Sequence, residues 1–66
     1  MDKRPTLRRG FNKKGEEICL CRDDSDTAGT HRYFVWDTVR QVRLGSYTKL
    51  RDAEDLFNYT VSYVKG

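Results

Sequence analysis

The chain has 66 residues, 36% of them hydrophobic and 35% charged, and a net charge of +3. That bounds it to one domain with a modest core, and four Tyr, three Phe and one Trp supply packing units large enough to argue against general disorder. No apolar run approaches the roughly 20 residues of a membrane span, and the charged amino terminus has no signal-peptide core. With a single His and no nucleophile elbow, phosphate loop or metal pair, an ordinary enzyme is the least expected class.

Residues 1–15 carry Lys3, Arg4, Arg8, Arg9, Lys13 and Lys14 against Asp2 alone, and are broken by Pro5, Gly10, Asn12 and Gly15. This reads as a flexible basic arm, anchored by Leu7 and Phe11, of the kind that contacts phosphate. Residues 16–66 are then the domain proper, with Glu16 to Arg22 as its first strand. Cys19 and Cys21 alternate with Ile18 and Leu20 and point the same way. A bridge between two cysteines so spaced is strained, and zinc would have only His31 to add as a ligand. Two free thiols are expected, which fits a reducing cytoplasm. Asp23 to Thr30 is a loop with a faint calcium-like spacing, but Ala28 and Val35 stand where oxygen ligands are needed. No metal or cofactor is expected.

His31 to Trp36 predicts the strongest strand. Val39 to Leu44 predicts a third, reached through a connection from Asp37 to Arg40 so short that only an antiparallel hairpin closes over it. A four-residue loop on a type I turn would pair Trp36 with Gln41, Val35 with Val42 and Phe34 with Arg43. One face would then hold Tyr33, Val35, Val42 and Leu44, and the other Arg32, Phe34, Trp36, Gln41 and Arg43. Past Gly45, a stripe of Leu50, Ala53, Leu56, Phe57, Thr60 and Val64 predicts a helix, with Thr48 as a candidate cap. The expected fold is α+β: a three-stranded antiparallel sheet packed against one C-terminal helix, in the order β-β-β-α.

The stretch from Val42 to Asn58 resembles the core of the plant ethylene-response-factor DNA-binding domain, with Leu44, Gly45, Tyr47, Ala53, Phe57 and Asn58 in the matching places. The same fold is found in the amino-terminal arm-binding domains of phage and transposon tyrosine integrases, whose basic opening segment is similar in style to Lys3 through Glu16. The resemblance implies a sheet laid in the major groove, with Gln41 and Arg43 at positions that contact DNA. The first strand and the acidic loop depart from that pattern.

The functional expectation is therefore sequence-specific binding of double-stranded DNA by a monomer. The contacts would come from Arg32, Trp36, Gln41 and Arg43 on the free face and from Lys3, Arg4, Arg8, Arg9, Lys13 and Lys14 in the arm. A DNA-binding chain of this kind would sit in the cytoplasm at the nucleoid. The competing expectation is a small protein-interaction module, or a phage-type inhibitor, using the same aromatic and arginine face. It is favoured by residues 16–66 holding seven basic and nine acidic residues.

Overall fold

The structure, a computed structural model, describes residues 6–24 and 31–65. Five strands and one helix follow one another: β1 (Thr6–Phe11), β2 (Glu17–Arg22), β3 (Tyr33–Asp37), β4 (Val42–Tyr47), α1 (Leu50–Thr60) and β5 (Tyr63–Lys65). The strands form one sheet in the order β4-β3-β2-β1-β5, with every neighbouring pair antiparallel. The expected three-stranded sheet is thus corrected to a five-stranded one. The run β2-β3-β4-α1 is present, but β1 and β5 extend it on one side.

Both additions have a physical reason. The stretch read as an arm lacks apolar alternation, yet β1 lies between β2 and β5 and its backbone is paired on both sides. Its helix-side positions are Arg8, opposite Leu20, and Gly10, opposite Ile18. Arg8 reaches Glu54 on α1 at 3.8 Å, and Gly10 is buried without a side chain of its own. Residues 1–5, with Lys3 and Arg4, lie outside the described residues. The helix, expected to run on toward Val64, ends at Thr60. Val61 turns extended with its N–H bonded to the carbonyl of Phe57, and Ser62 N–H then bonds to the Phe11 carbonyl at 2.7 Å. Thr60, Val61, Tyr63 and Val64 are β-branched or aromatic, and suit a strand better than a last helical turn. At the other end the cap residue is Lys49, not Thr48, and no side chain caps the helix.

One face of the sheet receives α1. Ile18, Leu20, Val35, Ala53 and Phe57 form its core, with Tyr33, Tyr47, Leu56 and Val61 packed around them. Gly45 lets the helix close down: a Cβ there would lie 2.6 Å from Leu56 Cδ2 and 2.9 Å from the Tyr47 hydroxyl. The β3–β4 register differs from the expected one. Asp37 pairs with Val42 and Trp36 with Arg43, and a bulge at Leu44 then brings Gly45 opposite Val35. The slip of two residues keeps Arg43 on the face of Trp36, because side-chain parity has period two. The bulge moves Gly45, rather than Leu44, under the helix. Val42 and Leu44, expected in the core, are 45% and 40% exposed at the sheet edge.

Candidate nucleic-acid interface

Among the described residues, the second face of the sheet carries no helix. Across it runs one cross-strand row, in which Arg9 pairs with Cys19, Cys19 with Trp36, and Trp36 with Arg43. Directly opposed residues share a face, so two arginines flank a tryptophan and a small thiol. A neighbouring row is Thr6, Cys21, Phe34 and Ser46, and on the other side Phe11 stands between Tyr63 and Glu17. The rings of Phe11 and Tyr63 are stacked, with centroids 5.1 Å apart and planes 21° from parallel.

Cys19, Cys21 and Phe34 are buried on this face, with Trp36 half-buried against them. Arg43 forms part of their cover. Its guanidinium lies 4.1 Å from the centre of the Phe34 ring and donates to Asp23 Oδ2 at 3.0 Å. The guanidinium expected to contact DNA is therefore engaged with a carboxylate inside the chain. Burial, followed by the neighbouring Cys21 and Glu17, pushes the Cys19 thiol up to about 11. It is protonated near neutral pH and is a poor nucleophile.

The other predicted site residues separate. Gln41 has a φ of 57° and closes the β3–β4 turn, so it stands off the pleat and is not on the sheet face. Arg32 is exposed just before β3. Arg8 is on the helix side of the sheet. Lys13 and Lys14 stand exposed at the tip of the β1–β2 turn. That turn is fixed by Asn12, whose Oδ1 accepts from the N–H groups of Lys14 and Glu16 at 2.9 and 3.0 Å. Its Nδ2 donates to Glu16 Oε1 at 2.9 Å, and Gly15 supplies the left-handed φ of 78°.

The β3–β4 turn lies at the same end of the sheet. Asp37 Oδ1 accepts from the N–H groups of Val39 and Arg40, and Gln41 N–H bonds to the Asp37 carbonyl at 2.8 Å. Arg40 joins the two turns, with one guanidinium nitrogen 2.9 Å from both Glu16 and Asp37. Arg9, Lys13 and Lys14, by contrast, enter no ion pair with another described residue.

Two residues of this face were missed by the sequence reading. Phe11 falls in the stretch that reads as an arm, and Tyr63 in the stretch that reads as the far end of the helix. The alternation of Thr60 to Val64 was the signal that could have found the second. Among the described residues no cluster of His, Cys, Asp and Glu suits a metal, and no helix is long and apolar enough to cross a membrane. Comparison with known protein families, curated proteins and solved structures finds no match.

Proposed function

We propose that this chain binds nucleic acid on the open face of its sheet, and that single strands are the preferred form. The observation that carries the reading is the grouping on one face of Trp36, Phe11 and Tyr63 with Arg9, while Lys13 and Lys14 stand at the adjoining turn. Flat aromatic surfaces that stack bases, combined with cations that track phosphate, are the two requirements of single-strand binding. In this reading Trp36 and the Phe11–Tyr63 pair stack bases and Arg9 holds the backbone. Arg43 keeps Trp36 and Phe34 in place rather than reading a base.

The width of the sheet favours single strands over a duplex. Five strands at about 4.8 Å spacing span roughly 19 Å, whereas the major groove of DNA is only about 12 Å wide. The duplex reading also relied on Gln41 and Arg43, of which one is in a turn and the other is bound to Asp23.

Trp36 is the only tryptophan in the chain, so its fluorescence is a direct probe of the face. Titration with a single-stranded oligodeoxynucleotide should quench it, with an affinity that falls as salt rises because phosphate contacts release counterions. Trp36→Ala should weaken binding by about 1–3 kcal/mol. Tighter binding of a duplex than of its separate strands would return the argument to the major groove. No binding of either form at low salt would sink the nucleic-acid reading and leave the face to a protein partner.

A further inference from the structure

At the turn end of the sheet a cleft of about 500 Å³ opens between two walls. One wall is Asn12, Lys13, Lys14, Glu16 and Arg40; the other is Tyr59 to Ser62, where α1 ends and the chain leads into β5. We infer that this cleft receives a nucleotide of the bound strand as the strand leaves the open face, with its phosphate at Lys13 and Lys14 and its base against Tyr59. The inference rests on the nucleic-acid reading for the class of ligand, and on the cleft itself for the place.

Three observations support it. The cleft adjoins the stacked aromatic pair through both of its walls: Phe11 is followed by Asn12, and Tyr63 is preceded by Ser62. Successive residues on a strand point to opposite faces, and Val61 lies on the helix side against Gly10, so a strand stacked on Phe11 and Tyr63 reaches the cleft by turning round this end of the sheet. Second, the volume falls in the range of small-ligand sites, roughly 300–1,000 Å³. Third, the cationic wall is rigid and its charge is directed. Glu16 is held by Asn12 and Arg40 at 2.9 Å each, and although Lys14 is near enough to help keep it ionised, neither Lys13 nor Lys14 forms an ion pair with another described residue. Tyr59 is 89% exposed. No packing requirement accounts for a large aromatic there, and every base has a flat surface that an exposed ring can stack.

The test compares two lengths of oligodeoxynucleotide, about 4 and about 12 residues, within the range of strand lengths that single-strand-binding folds cover. Trp36 fluorescence reports binding of both. Tyr59→Ala should weaken the longer strand by roughly 5- to 150-fold and leave the shorter one unchanged. Lys13→Ala with Lys14→Ala should lower the salt dependence more for the longer strand than for the shorter one. All three side chains are exposed, so the variants should keep the far-ultraviolet spectrum of the parent. If both lengths bind these variants as they bind the parent, the cleft is not part of the site, and the open-face reading survives. If neither length quenches Trp36 in the parent, the open-face reading fails and the cleft inference falls with it.

Discussion

Asp37 shows how much one residue can fix. It is 3% exposed, and its carboxylate is held below the ordinary range. The first cause is the Arg40 backbone N–H; the Arg40 guanidinium and the Val39 N–H add to it, against the opposing effect of burial. Glu16 is lowered too, first by the Asn12 amide and then by Arg40. A carboxylate more acidic when folded than when unfolded contributes stability above its unfolded value, and that contribution is lost as pH falls toward the folded one. The protein should therefore lose stability as pH drops below about 4. Asp37→Asn retains an oxygen for the two turn N–H groups but no charge for Arg40, so its melting temperature should fall less steeply with acid. Asp37→Ala should cost about 1–3 kcal/mol even at neutral pH, because it removes the acceptor altogether. An unchanged acid limb in Asp37→Asn would show that this carboxylate does not drive the transition. Arg43 follows the same logic. Arg43→Ala strips a guanidinium from nearly buried Asp23 and from the Phe34 ring, so it should lower the melting temperature as well as any binding.

At the scale of elements, legibility followed periodicity. The strongly patterned pieces, Glu17–Arg22, Tyr33–Asp37 and the stripe of Ala53, Leu56 and Phe57, form where alternation or helical spacing placed them. Phe57 is fully buried. Phe57→Ala should cost about 3–5 kcal/mol, a large share of a total near 3–10 kcal/mol for 66 residues, so its melting temperature should fall sharply. A variant that melts like the parent would overturn the packing of α1 on the sheet. What could not be read was whatever depended on a partner strand or on missing volume. β1 presents Arg8 and Gly10 to the helix side, and no apolar period marks it. The Leu44 bulge adds a residue that alternation alone cannot anticipate, so Leu44 gives up the helix side to Gly45, while Val42, opposite Asp37, keeps that side but lies exposed at the sheet edge. Parity survived on β4 because the slip was even, which is why Trp36 and Arg43 do share the open face while Gln41 does not. Gly45→Ala tests the reading of volume: the new methyl meets Leu56 and Tyr47, and the midpoint of urea unfolding should fall.

On the scale of the whole molecule, the first and last of the described strands lie side by side, so β1 and β5 are structurally coupled. β5 pairs with β1 through Arg9–Lys65, Gly10–Val64 and Phe11–Tyr63. That contact delivers Tyr63 to the open face and sets one wall of the cleft, so the proposed site depends on it. The joint is built around Gly10. A Cβ there would lie 2.9 Å from the Tyr63 carbonyl oxygen and 2.9 Å from Val61 Cγ1, and one of those atoms is backbone that cannot turn aside. Gly10→Val should therefore push β5 off the sheet while leaving β2, β3, β4 and α1, which pack on one another without it. Hydrogen exchange separates this outcome from general unfolding. The amides that join β1 to β5, with that of Ser62, should lose protection, while those of β2 and β3 stay slow, since local opening free energies follow local packing. Trp36 lies two strands away from the joint, so its quenching by a short oligodeoxynucleotide should persist, while the gain from a longer one should vanish with the displaced wall. Uniform loss of protection across all five strands would show instead that β5 is integral to a single cooperative unit, and that the sheet does not stand without its last three residues.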